Sequence, residues 1–100
     1  MIQHVILRAL KPGVTQQQID EMRRRTERLA ALDGIGPVVV GPNLSASPFT
    51  DGMTHVTVMI ATSLEAIRQM IAHPLHAEAA AVAKAVSERV VIADIEMPES

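Results

Sequence analysis

The sequence predicts an α+β fold of the ferredoxin-like type, with its elements in the order β-α-β-β-α-α-β. Two observations carry this prediction. Four segments show strand-like alternation or short apolar runs, and three segments between them repeat apolar residues at helical spacing. The 100 residues fit one domain, 1–100, with a tail at 98–100 that we expect to be frayed.

The N-terminal third is predicted to hold the first strand and the first helix. The strand covers residues 2–10 and ends at a Lys-Pro-Gly turn. Thr15 and Gln18 have capping-box spacing, so a helix should begin there and run to about Leu32. Gly34 follows, and glycine suits the left-handed conformation that ends a helix.

The middle of the chain is predicted to hold two strands and a long loop. The strands cover residues 38–40 and 54–61, and the loop between them, 41–52, is rich in turn-forming residues. This loop carries Phe49, the only aromatic residue. The sequence leaves open whether Phe49 anchors a dimer or closes a pocket.

Two helices and a last strand complete the pattern. Thr62 and Glu65 resemble a second capping box, which predicts a helix up to the residues just before Pro74. Proline fits the first position of a helix, so the next helix should run from Pro74 to about Val86. The last strand is predicted over residues 88–97.

Strand alternation gives the two faces of the predicted sheet different characters. One face is wholly aliphatic and is formed by Val5, Leu7, Val56, Val58 and Ile60. The other mixes apolar and polar groups and is formed by His4, Ile6, Arg8, His55, Thr57 and Met59. The helices can cover only one face, so we expect a second copy of the chain to cover the aliphatic face in a homodimer.

Composition excludes several classes of function. A net charge of −2 gives no electrostatic footprint for nucleic acid or a membrane surface. The chain has no cysteine, and its four histidines lack the common metal-binding spacings, so no metal and no cofactor are expected. No apolar run approaches ~20 residues and no secretory leader is recognisable, which favours a cytoplasmic location.

The segment HPLH at 73–76 contains the leading candidate for a catalytic group. His73 precedes Pro74 and is expected to cap the helix, which places His76 in its first turn. Small residues such as Ala80 share the face of His76 and leave space beside it, and a helix N-terminus disfavours the protonated imidazole. A neutral imidazole beside a pocket suits a general base, although a purely structural role at the helix start is equally compatible with the spacing.

Three motifs together resemble the stress-responsive A/B barrel family: QHVILRALKPG with His4, GPN after the second strand, and HPLH. The resemblance implies a dimeric α+β barrel with a pocket between sheet and helices in each subunit. The family includes a polyketide cyclase that performs an aldol condensation. The resemblance implies that His76 corresponds to its catalytic histidine and His4 to a strand histidine that lines its pocket. That enzyme's catalytic tyrosine corresponds to Met70 here, so the same acid–base pair is not available.

Arg8 stands where the family usually has an apolar residue. A guanidinium at this position would suit a carboxylate or an enolate, or would pair with an acid such as Asp94 or Glu96. The resulting hypothesis is a cofactor-independent lyase or isomerase acting on a small hydrophobic carbonyl or polyketide-like compound. His76 and His4 would be catalytic, and the substrate would contact Arg8, Ile6, His55, Thr57, Met59 and Met70. The alternative is a non-enzymatic scaffold or small-molecule-binding protein.

Overall fold

The computed structural model describes residues 1–98 and has the predicted order of elements, which confirms the α+β ferredoxin-like fold. Residues 99 and 100 of the expected frayed tail lie outside the described residues. The strands are β1 (Ile2–Leu10), β2 (Ile35–Pro42), β3 (His55–Ala61) and β4 (Ser87–Glu96). The helices are α1 (Gln16–Glu27), α2 (Leu64–Ile71) and α3 (Pro74–Val86).

The strands of the described chain form one antiparallel sheet in the order β2-β3-β1-β4. The central strand β1 pairs with β3 on one side and with the edge strand β4 on the other. In this register His4 lies opposite Met59 of β3 and opposite Asp94 of β4. These three side chains therefore form one row on the same face of the sheet.

The helices cover the face that carries this row. His4, Thr57 and Met59 are all buried on it, with 4%, 3% and 1% of their surface exposed. The most deeply buried large side chains are the methionines Met22, Met59 and Met70, whereas Phe49 is 91% exposed. The core is thus filled by flexible thioethers and small residues instead of aromatic rings.

Two predicted helix boundaries were wrong. α1 ends at Glu27 instead of Leu32, because the chain tightens into a 3-10 turn over Arg28–Ala31 that buries Leu29. The cap of α2 is Ser63, whose hydroxyl accepts the Ala66 N–H at 3.1 Å. Thr62 does not cap α2, and its N–H donates to the carbonyl of Gly34 at 2.9 Å. The second strand is also longer than the predicted residues 38–40.

Gly34 is required where the turn before β2 meets α2. Its φ of +77° is in the left-handed region, and a Cβ there would lie 2.7 Å from the Cβ of Ala66. Both observations exclude a side chain at this position without a local shift. The turn and α2 therefore pack closely enough to close this end of the helix-covered face.

The opposite face of the sheet is open. Register places Val39, Val58, Val5 and Ala93 in one row across all the strands of the sheet. The neighbouring rows add Leu7, Val56, Ile60, Val91 and Ile95. Val39 and Ile95 are 64% and 58% exposed, so this aliphatic face has no cover within the described chain. None of the described helices combines the length and apolar character that crossing a membrane requires.

Candidate functional site

A cleft of about 620 Å³ lies on the helix-covered side, over β1 and β4. It forms because the helices stop short of the edge strand, where Val90 and Ile92 remain 43% and 57% exposed. The cleft is lined by side chains of β1, of β4 and of the helix side: His4, Ile6, Arg8, Ile71, His76, Ala80, Lys84, Ser87, Glu88, Arg89, Val90, Ile92 and Asp94.

A second, smaller cavity of about 40 Å³ lies among side chains of the core and of the cleft. His4, Arg8 and His76 line both spaces, whereas Met59 and Met70 line only the inner one. The inner volume is about that of one water molecule. The three polar side chains therefore stand where an apolar core meets an accessible cleft.

His4 is held by a carboxylate. Its Nδ1 lies 2.5 Å from Oδ1 of Asp94, and this contact follows directly from the strand register. An Nδ1–H that donates to the carboxylate fixes the orientation of the ring and leaves Nε2 for chemistry. His4 is shielded from solvent, with 5% of its side chain exposed, whereas Asp94 faces the cleft with 33% of its side chain exposed.

His76 lies in the first turn of α3, as predicted. His73 caps this helix, since its Nδ1 accepts the Leu75 N–H at 3.0 Å, and Pro74 occupies the first helical position. Burial lowers the pKa of His76 below its ordinary value of 6.5, and the proximity of His4 and Arg8 lowers it further. The imidazole is therefore neutral at pH 7 and has a nitrogen lone pair available to accept a proton.

Arg8 enters the site from β1, beside Ser87. Its Nη1 donates to Oγ of Ser87 at 3.3 Å, and the Ser87 hydroxyl donates to the carbonyl of Ala83 at 2.6 Å. Burial lowers the pKa of Arg8, although a guanidinium stays charged in proteins. The suggested ion pair with Asp94 or Glu96 does not form, because Asp94 is held by His4 and Glu96 lies opposite Ile2 at the far end of β1.

The sequence family is settled by a match along nearly the whole chain. Residues 2–97 match the Stress responsive A/B Barrel Domain family. The chain belongs to this family. A curated relative, the stress-response A/B barrel domain-containing protein HS1 of Arabidopsis thaliana, is 30% identical over 96 residues, which cover 93% of this chain and 86% of HS1.

Solved structures agree with the A/B barrel fold. A dimeric ferredoxin-like protein of unknown function from Thermobifida fusca superposes with a TM-score of 0.81 at 20% identity, covering 96% of this chain and 90% of that one. The hydroxynitrile lyase of Passiflora edulis superposes with a TM-score of 0.86 at 20% identity, covering 99% and 94%. At these identities the likeness shows the fold alone.

The remaining candidate residues of this A/B barrel protein are only partly brought together. Ile6 lines both cavities, and Met59 and Met70 line the inner one. His55 and Thr57 line neither. His55 stands beside Arg8 in the register, but its Nδ1 contacts the Thr54 hydroxyl at 3.0 Å, and burial lowers its pKa.

The sequence does not reveal Asp94 as the partner of His4. It suggests Asp94 only as a partner of Arg8, because local patterns do not determine the pairing register of the first and last strands. The available signal was alternation: Asp94 shares a strand face with Val90 and Ile92, and the same face of β1 carries His4.

Proposed function

We propose that this A/B barrel protein is a cofactor-independent enzyme that moves a proton on a hydrophobic carbonyl compound. The reaction would be an aldol-type cyclisation or an isomerisation. The observation that carries this proposal is the position of two imidazoles, His4 and His76, on one inner cavity that adjoins an accessible apolar cleft. In this proposal one bound ligand would contact both the base that accepts its proton, His76, and a donor to the resulting enolate oxygen, His4.

The proposed chemistry begins at His76. Its neutral ring takes a proton from the carbon next to the substrate carbonyl, and the electrons of that C–H bond move onto the carbonyl oxygen as an enolate. Arg8 donates hydrogen bonds to this oxygen. His4 does so in its imidazolium form, which alone has an N–H at both nitrogens, from Nε2 to the oxygen and from Nδ1 to Asp94.

The enolate then has two fates. In an isomerisation, His76 returns the proton to a different carbon and the carbonyl is restored. In an aldol closure, the enolate carbon forms a bond to a second carbonyl carbon of the same molecule, and His76 gives its proton to the new alkoxide. Ile6 supplies an apolar contact in the cleft, whereas Met59 and Met70 border only the small inner cavity beside the reacting groups. His55 and Thr57 lie outside both cavities and have no part in this chemistry.

The proposed assembly is a homodimer in which two open faces pack against each other. Its interface is formed by Val5, Leu7, Val56, Val58 and Ile60, extended by neighbours in the same rows. Exposed valines and isoleucines such as Val39 and Ile95 support this arrangement, because one chain leaves them in water. The Thermobifida fusca protein with the same fold is described as dimeric.

Deuterium exchange tests the enzyme without requiring the natural substrate. The native protein is incubated in deuterium oxide with a panel of aryl and alkyl methyl ketones, including acetophenone and para-acetylbenzoate. Incorporation at the carbon beside the carbonyl is followed by proton NMR. His76→Ala should slow the exchange by about 100-fold or more, because the general base is lost. Asp94→Asn should slow it by about 10-fold or more, because His4 loses the carboxylate that orients its ring.

His55→Ala is the matched control, since it removes a histidine from the same face of the sheet but outside both cavities. It should leave the exchange rate unchanged. Exchange that is equally fast in His76→Ala, or absent with every ketone in the native protein, contradicts the enzyme. Ligand binding without exchange would instead identify a small-molecule carrier.

A further inference from the structure

Arg8 has a charge that the described chain does not neutralise. Its hydrogen-bond partner, Ser87, is a neutral hydroxyl whose own proton is given to the carbonyl of Ala83. Within residues 1–98 no carboxylate forms an ion pair with this guanidinium. Ser87 thus holds Arg8 in place and leaves most of its five N–H donors free.

The other charged groups around the cleft are already paired or lie at the rim. Asp94 is bound to His4, and Arg89 forms an ion pair with Asp51 at 2.9 Å. Lys84 and Glu88 are exposed and opposite in charge. The interior of the cleft is therefore left with one fixed positive charge, at Arg8, next to the inner cavity.

The walls around this charge are apolar. Ile6 and Ala80 line both spaces, and Ile71, Val90 and Ile92 line the outer cleft. Ile71 and Ile92 are 51% and 57% exposed, so a bound hydrocarbon group would remove substantial apolar surface from water. A ligand that satisfies both features has a small anionic head and an apolar body.

We propose that the cleft selects amphiphilic carboxylates: Arg8 holds the carboxylate where the inner cavity meets the cleft, and the apolar body lies along Ile6, Val90 and Ile92. The planar guanidinium fork matches the two oxygens of a carboxylate. This inference rests on the cleft being the binding site of the proposed function. It also specifies the substrate of that function: the carbonyl compound would be a keto acid whose carboxylate binds to the guanidinium of Arg8.

Isothermal titration calorimetry on a matched pair of probes tests this selectivity. Para-butylbenzoate and para-butylbenzamide have the same shape and differ in charge. The native protein should bind the acid about tenfold more tightly or better, since a charge-assisted hydrogen bond is lost with the amide. Arg8→Met should make the two affinities nearly equal and leave that of the amide unchanged. Arg8→Lys should retain part of the preference, because it keeps the charge and loses the fork.

Lys84→Gln is the matched control, since it removes a positive charge from the rim of the same cleft and should preserve the preference. Equal affinities in the native protein, no measurable binding of the acid, or a preference that survives Arg8→Met overturns the proposal. If Arg8→Met is poorly folded, the comparison of Arg8→Lys with Lys84→Gln decides the same question.

The two proposals fail separately. His76→Ala should still prefer the acid, because the preference requires only Arg8. If the native protein prefers the acid but catalyses no ketone exchange, the carboxylate site is supported and the proposed enzyme activity is disproved. Exchange without acid preference supports the enzyme and disproves only the carboxylate-binding role of Arg8.

Discussion

The two faces of the sheet are built from the same strands in the same register, yet they place polar side chains very differently. The open face carries aliphatic residues in successive rows, one of which contains Val39, Val58 and Val5. The helix-covered face has His4 and Arg8 in alternation with Ile6, and each polar group has a bonding partner. The comparison shows that burial alone does not exclude polar groups from a sheet face. What matters is whether a neighbouring strand or helix supplies a partner.

The helices also cover the two halves of the sheet to different extents. Over β2 and β3 the covered face is closed by close contacts such as that of Gly34 with Ala66. Over β4 the helices stop short, and the polar groups of β1 reach the cleft at that boundary. The candidate site is therefore at the edge of the helix layer instead of its centre.

The largest expected effect comes from a charge at the middle of the open face. Val58→Asp should raise the dissociation constant of the proposed dimer by about 100-fold or more, because an unpaired charge would be buried between two sheets. Sedimentation velocity at several concentrations measures this. Ala85→Asp adds the same charge to the exposed surface of α3 and should leave the dimer intact. A dimer that tolerates Val58→Asp would show that this face is not the interface.

The closed end of the covered face is tested by the substitution Gly34→Ala. It should lower the free energy of unfolding by about 2–4 kcal/mol, since it adds backbone strain and a contact with Ala66. Urea unfolding measures the change. Gly13 also has a positive φ, of +81°, but a Cβ there would meet nothing within 4 Å. Gly13→Ala should therefore cost only the backbone part, about 1 kcal/mol, and equal losses at both positions would contradict the close approach.

The smallest expected effect is a loss of folding stability at acidic pH. The pKa values of His76 and His55 are lowered from 6.5 by burial, so the folded protein binds fewer protons than the unfolded chain. The stability that these groups contribute is fully present above pH 6.5 and declines as the pH falls through their folded pKa values. Urea unfolding across this range should show a shallower decline in His76→Gln. A native protein whose stability rises on acidification would contradict both shifts.

Much of the fold could be predicted from local signals. Alternation in β1 and β3 separated the two faces correctly, and the His73–Pro74 pair located the start of α3. Asp94 was missed because its contact with His4 depends on the register of strands ninety residues apart, which local patterns do not determine. The partner of Arg8 was missed for the same reason. The cap of α2 lies one residue later than predicted, at Ser63, because Thr62 and Ser63 both carry a hydroxyl that can cap a helix and local sequence does not choose between them.

Helix α3 and strand β4 follow each other without a connecting loop: the helix ends at Val86 and the strand begins at Ser87. The two walls of the cleft, α3 and β4, therefore meet at an angle whose apex is Ser87. The width of the opening therefore depends on the angle between helix and strand at that apex as well as on the side chains that line it. A change in this angle alone would change the size of molecule that the cleft admits while every lining residue stayed the same.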